Sequence, residues 1–321
     1  MKYRPLGRTG LTVSEIGFGA WGIGGRTAGE TSYGATEDSR SRAALERALD
    51  LGITFYDTSN VYGDGHSEAL IGEAFAHRRE RVVIATKAGL ARYDAPPDFS
   101  PEALRRSLDQ SLTRLCTNYV DLLQLHNPPP DLFRRLPESY AALQAFMREG
   151  KIRSFGVSVK TPDEALAMLQ RHLVPCVQIN FNMLDIRAVE AGLFDRAASD
   201  GVGIIARTPL SFGFLSGAVT RDTRFSEGDH RRRWPRAQIE RWIEGGGALH
   251  EAAGQQSGQT RSQVALRFCL SFPAVATVIP GILSADEAEE NARASELGVL
   301  PDTARERILE LNRRASFFIG R

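Results

Sequence analysis

Two kinds of hydrophobic pattern alternate along almost the whole chain. Short apolar runs fall at 15–19, 53–57, 82–87, 120–126, 154–158, 176–180, 203–207 and 276–280. They are too short for helices and rich in β-branched and aliphatic residues, so they read as buried strands. Between them, apolar residues return every three or four positions. Leu104, Leu108, Leu112 and Leu115 form one such stripe, and Leu143, Phe146 and Met147 form another. Ser100-Pro101 and Thr161-Pro162 place a capping hydroxyl before a proline at the first helical position, and Glu164 completes a capping box with Thr161. Strands that alternate with helices predict βα units, and eight of them predict an α/β fold of the (β/α)8 TIM-barrel type.

Two departures from the alternation refine this picture. Gly7-Arg8-Thr9-Gly10 separates two short apolar segments and predicts an N-terminal β-hairpin that plugs the closed bottom of the barrel. The longest stretch without a strand, about 208–238, is rich in Gly, Ser and Arg. Loops of that length inside a compact fold act as lids or binding loops, so a long loop over a ligand is expected. The chain shows no internal repeat or linker composition, and residues 1–321 read as a single barrel domain.

Composition narrows the partners. At 321 residues the chain suits one barrel of ~250 residues plus loops. Forty basic and 39 acidic residues leave a net charge of +1, which gives no electrostatic reason to expect nucleic acid or a membrane surface. Arg231-Arg232-Arg233 is the exception and reads as a solvated loop. Cys116, Cys176 and Cys269 are odd in number and far apart, so they predict reduced, buried thiols rather than a disulfide framework or a metal motif. With neither an apolar leader nor a membrane-length apolar stretch, a cytoplasmic protein is expected. No signature selects between a monomer and a homo-oligomer.

Four polar residues stand at or just beyond the C-terminal ends of consecutive strands: Asp57, Tyr62 five residues after it, Lys87 and His126. In a parallel barrel those ends open onto one face, so the four can converge. Reduction of a carbonyl requires hydride at carbon and a proton at oxygen, and therefore an acid with a pKa nearer neutrality than a free tyrosine's ~10. A lysine ammonium beside Tyr62 would lower its pKa, Asp57 would hold Lys87 charged and aimed, and His126 would orient the carbonyl oxygen. Singly, each is equally well explained as a structural ion pair or a satisfied core polar group. Gly17-Phe18-Gly19-Ala20-Trp21-Gly22 fits a dinucleotide fingerprint but is read as a decoy. The first credible helix begins near Glu37, so the third glycine opens no helix, and the segment predicts a loop that carries Trp21 toward the barrel mouth.

The four residues and their surroundings resemble the aldo-keto reductases. The resemblance is carried by Leu6-Gly7-Arg8-Thr9-Gly10-Leu11, Asp50-Leu51-Gly52-Ile53, Gly65-His66-Ser67-Glu68, Asp121-Leu122-Leu123-Gln124-Leu125-His126, Gly150-Lys151-Ile152-Arg153 and Glu290-Asn291, in family order over essentially the full chain. It implies that Tyr62 is the general acid/base, Lys87 and Asp57 its tuning pair, and His126 the substrate-orienting residue. It also implies a small carbonyl or alcohol substrate, an NADP(H) cofactor with NAD(H) as the alternative, and carboxamide contacts from Ser158 and Gln178. Trp21, Arg207, Pro209, Leu210, Gly281, Glu287, Glu290 and Asn291 fall at further cofactor positions. Val159 departs from the usual asparagine, which puts one polar contact in doubt. Arg207 stands where many members carry a stacking aromatic, and either stacks its guanidinium plane or forms a barrel-mouth salt bridge.

Ser284 and Glu287 read as a capping box opening a helix. Relatives that prefer NADP place Arg or Lys in this stretch, whereas this chain has Leu283 and Glu287, so weakened NADP preference and use of NAD are expected. The alternative is that Glu287 only caps the helix and that Arg293 or the 231–233 run meets the phosphate. The substrate pocket is expected around Trp21 to Ala35, Tyr62, Pro128-Pro129-Pro130 and Phe212 or Phe214. Asp57, His126 and Ser158 do not make a hydrolase, because the serine lacks the second glycine of a nucleophile elbow. A redox-sensing regulatory subunit is the competing reading for the same residues, and the chain shows no extra interaction segment that would favour it.

Overall fold

A computed structural model describes residues 1–27, 31–129, 136–170, 174–254 and 258–319. The N-terminal hairpin pairs β1 (Tyr3–Pro5) with β2 (Thr12–Ser14) in antiparallel register. Then come the parallel strands β3 (Phe18–Gly19), β4 (Phe55–Asp57), β5 (Val83–Ala88), β6 (Val120–His126), β7 (Ile152–Ser158), β8 (Cys176–Asn180), β9 (Gly203–Arg207) and β10 (Val275–Ile279). Each pairs with its sequence neighbour, in the order β3 to β10. Bridges between Ile16 and Val278 and between Gly19 and Gly281 bring the first strand against the last, leaving a nearly closed barrel. Seven of the eight expected runs agree with the strands to within two residues at either end. The run 15–19 shrinks to two residues of ladder because Ile16 and Gly17 spend their pairing on the seam to β10.

Helices cover the outside: α1 (Asp38–Asp50), α2 (His66–Phe75), α3 (Pro101–Arg114), α4 (Leu136–Arg148), α5 (Pro162–Gln170), α6 (Arg187–Glu190), α7 (Leu193–Ser199), α8 (Arg236–Ala252), α9 (Arg261–Leu270), α10 (Ala285–Leu297) and α11 (Asp302–Arg314). The expected caps form. Ser100 Oγ accepts from Ala103 N ahead of α3, and Thr161 and Glu164 satisfy each other's amides ahead of α5. Leu104, Leu108 and Leu112 bury as one face, as do Leu143 and Phe146, but Met147 is 40% exposed because it lies one position past the inward stripe. Cys176 and Cys269 are buried, while Cys116 is exposed, contrary to expectation, in the turn between α3 and β6.

The hairpin closes the N-terminal end of the barrel. Leu6, Leu11 and Val13 join Phe55, Ala85, Leu122, Cys176, Ile205 and Ala276 in one apolar cluster. Its turn lies so close to β9 that a Cβ on Gly7, whose φ is +52°, would sit 2.1 Å from Gly203 N. Only glycine tolerates both the left-handed backbone and that approach. With the bottom plugged, access is left to the opposite rim, where the strand ends lie.

Candidate active site

The rim collects polar side chains in a layer sealed by the apolar floor. Asp57 closes β4 and Lys87 lies near the end of β5, both almost fully buried. Lys87 Nζ donates to Asp57 Oδ1 (2.5 Å), to Thr58 O (2.8 Å) and to Tyr62 Oη (3.2 Å). Its three protons are therefore all used, and its charge is matched within the layer. Tyr62 arrives on a tight turn after β4. Gly63, at φ +61°, lets this turn lie against the loop before it, since a Cβ there would meet Gly24 O at 2.0 Å. His126 ends β6 with its ring edge-on to Tyr62, 6.2 Å between centroids, and its Nδ1 3.2 Å from Ser59 Oγ.

Two side chains absent from the expected set complete the layer. Gln124 Nε2 donates to Asp57 Oδ2 (2.9 Å), and Ser59 holds the His126 ring. Gln124 was legible in principle, because it lies two residues before His126 and strand alternation turns both the same way. Gln178 Nε2 also donates to Asp57 Oδ2 (2.7 Å), while its Oε1 accepts from Ser158 Oγ (3.2 Å). Gln178 thus braces Asp57 and still has one N–H and one lone pair.

Burial governs the protonation states. The Tyr62 phenol is pushed up well above its ordinary value, first by burial and then by the Asp57 charge, with only Arg207 pulling it down. This reverses the lowering expected from Lys87, whose ammonium is already matched by Asp57 at 2.5 Å. Lys87 is lowered by its own burial, and Asp57 opposes that shift through charge and hydrogen bond. The His126 imidazole is driven well below its ordinary range by burial and by the charges of Lys87, Arg207 and Lys160, so the ring is neutral at pH 7.

Above this layer opens a cleft of about 1010 Å³. Trp21, Tyr62, His126, Gln178, Arg207, Pro209, Leu210, Gly281, Glu287, Glu290 and Asn291 all line it. Lys87 and Ser158 stand behind the wall, buried, and donate hydrogen bonds to Tyr62 and Gln178. Tyr33, Tyr93 and Phe212 give the cleft an aromatic mouth and Asn127 also lines it, but Phe214 is buried and turned toward Trp234 and Trp242. Pro128 and Pro129 do not line the cleft, and Pro130 lies outside the described residues.

The long loop after β9 reaches across this mouth. His230 N donates to Ser32 O (2.9 Å), and Ser32 and Tyr33 bridge to Asp229. Arg231 is not the solvated residue that the charge run suggested. Its side chain is half-buried, paired with Asp229, hydrogen-bonded to Phe212 O and stacked over Tyr33 and Phe225. Arg232 and Arg233 stay exposed. At the far end of the cleft Ser284 Oγ accepts from Glu287 N, but Glu287 Oε2 takes Leu283 N (2.6 Å), one residue upstream of the box partner expected. Burial raises the Glu287 carboxyl above its ordinary value.

Comparison with known proteins places this geometry. The family model described as the Aldo/keto reductase family matches residues 15–313. The chain is 32% identical over 314 residues to L-glyceraldehyde 3-phosphate reductase of Escherichia coli, covering 92% of this chain and 87% of that protein. It is 32% identical over 236 residues to the NADH-specific methylglyoxal reductase of the same organism, covering 69% and 71%. Among solved structures, the holo form of an aldo-keto reductase from Bacillus halodurans superposes with a TM-score of 0.78 at 28% identity, over 97% of this chain and 96% of that one.

Proposed function

Because the chain belongs to the aldo/keto reductase family, oxidoreductases of carbonyl and alcohol substrates, we propose that it exchanges hydride between a bound nicotinamide cofactor and a small carbonyl or alcohol, with Tyr62 as proton donor and acceptor. The observation that carries this reading is the contact of Tyr62 Oη with Lys87 Nζ at 3.2 Å on the floor of the cleft.

The residues present suit a nicotinamide dinucleotide. The cleft runs from Tyr62 and His126 past Pro209 and Leu210 to Gly281, Glu287 and Asn291, a volume at the upper end of ordinary ligand sites. Gln178 keeps unspent hydrogen-bonding capacity on its wall, and Arg207 Nε is buried without a partner. Gln178, positioned by Ser158, would hold the carboxamide, and Trp21, Pro209, Leu210, Glu290 and Asn291 would contact the remainder. When bound, the cofactor supplies or takes the hydride.

The protein's own part is proton management. A raised Tyr62 pKa keeps the phenol protonated at neutral pH, ready to donate to a carbonyl oxygen. The phenolate left behind faces the Lys87 ammonium, which Asp57 holds in place. In our reading His126, whose Nδ1 lies 3.2 Å from Ser59 Oγ, orients the same oxygen.

We further read the cofactor site as accepting NADP(H) and also NAD(H). Arg224 lines the cleft, and among the described residues its hydrogen bonds go only to the main-chain oxygens of Asp222 and Thr223, so it is available to a 2′-phosphate. Glu287, which also lines the cleft, acts against that phosphate. One relative named as NADH-specific supports NADH use within this fold. The test follows reduced-nicotinamide absorbance with NADPH and NADH against aldehydes, ketones and aldoses. Sustained turnover is expected, and tight nucleotide binding without turnover on any class would contradict the enzymatic reading.

A further inference from the structure

Among the described residues, Arg207 is the one charge of the cleft floor that the floor does not balance. Lys87 and Asp57 neutralise each other at 2.5 Å. Arg207 makes no ion pair among the described residues, and its Nε lacks a hydrogen-bond partner. Its single anchor is Nη2 donating to Val159 O at 3.0 Å. That anchor fixes the guanidinium in space. Arg207 ends β9 opposite Asn180 of β8, whereas Val159 follows the end of β7, whose Ser158 lies opposite Gln178. To join β9 to the end of β7, the side chain must cross the end of β8, a span of two strand spacings of about 4.8 Å each. It therefore lies over the Ser158–Gln178 pair, which under the proposed function reads the carboxamide.

We infer that Arg207 discriminates between the two redox states of the cofactor, holding the reduced, uncharged ring in preference to the oxidised, cationic one. This inference rests on the nicotinamide reading of the cleft. The couple concerned takes two electrons and one proton from oxidised to reduced cofactor, and the rest of the dinucleotide carries the same charge in both forms. A fixed cation beside the ring therefore acts on one state alone. An aromatic at this position would contribute stacking without a net charge. A protein that binds the reduced form more tightly raises the reduction potential of the bound couple, so the bound equilibrium moves toward alcohol oxidation. The same unpaired charge draws the Tyr62 phenol downward against burial and Asp57, which assists loss of the Tyr62 proton in that direction.

The test is binding, not turnover. Quenching of tryptophan fluorescence gives dissociation constants for oxidised and reduced cofactor with the wild-type protein, Arg207→Gln and Arg207→Lys. The expected wild-type preference for the reduced form is about tenfold, a shift of about 30 mV for a two-electron couple. Arg207→Gln should lose about tenfold of that ratio, and Arg207→Lys should retain most of it. A wild-type ratio of one or less overturns the inference without any variant, as does an unchanged ratio in a folded Arg207→Gln that binds both forms. Failure of the wild type to bind either form would instead defeat the nicotinamide reading, and this inference with it.

Discussion

Lys87 and Asp57 meet at 2.5 Å in a layer that water does not reach, and each uses its remaining hydrogen-bonding capacity on a different neighbour. Lys87 spends its other protons on Thr58 O and Tyr62 Oη, while Asp57 turns its second oxygen to the amides of Gln124 and Gln178. A buried ion pair recovers its desolvation cost only when its hydrogen bonds are complete. Asp57→Asn should therefore leave an unmatched buried ammonium and destabilise the protein by about 3–5 kcal/mol. Chemical denaturation measures this, and a loss below about 1 kcal/mol would contradict the pairing described.

The neutral state of His126 makes acid stability a readout of the site. Its folded pKa is depressed below the ordinary 6.5, so below pH 6.5 the unfolded chain binds a proton that the folded protein refuses. Stability is then full above 6.5 and falls as pH drops toward the folded value. His126→Gln should flatten that fall by up to about 1.4 kcal/mol per pH unit. Part of the slope should survive, because burial also lowers His230 and His250. Denaturation midpoints measured between neutral and mildly acidic pH decide it, and an unaltered slope would show that His126 takes its proton in the folded state.

The hairpin plug predicts a stability effect remote from the chemistry. Leu6 is wholly buried in the barrel-interior cluster, and Leu6→Ala should cost about 2–5 kcal/mol. Thermal unfolding should register the loss, while the Michaelis constant for substrate stays near wild type. A large change in that constant with stability preserved would mean that the plug reaches the cleft.

At the end of the cleft proposed to take the adenosine, Glu287→Lys should replace an acidic residue of the lining with a basic one and move cofactor preference toward NADPH by about tenfold or more, an effect of about 1.4 kcal/mol. The ratio of kcat/KM for NADPH to that for NADH is the measurement. Because Glu287 also accepts from Leu283 N, Glu287→Gln serves as a control that keeps an acceptor while removing the charge. A ratio unmoved by both variants would assign Glu287 to capping alone.

The barrel was legible because its strands are apolar on both faces and end at polar residues. The runs 120–126, 176–180 and 203–207 could thus be bounded to the residue. Asp57, Lys87 and His126 were legible for the same reason, and Tyr62 by its spacing from Asp57. Properties that depend on surroundings rather than position were less so. The direction of the Tyr62 shift depends on how dry the pocket is and on Asp57 having already matched Lys87, neither of which sequence spacing encodes. Arg231 read as solvated because its partners, Asp229 apart, are the remote Tyr33, Phe212 and Phe225. Gln124 was overlooked because a glutamine inside an apolar strand resembles a satisfied core residue until Asp57 is seen beside it.

The central claim is that Tyr62 carries the proton, and Tyr62→Phe tests it most directly, since the substitution keeps the ring against His126 and removes only the hydroxyl. Single-turnover hydride transfer should be measured alongside cofactor affinity for the variant and the wild type. The account predicts transfer slowed by about 10²–10⁴-fold with cofactor affinity within a few-fold of wild type. Transfer at the wild-type rate in the variant would contradict it.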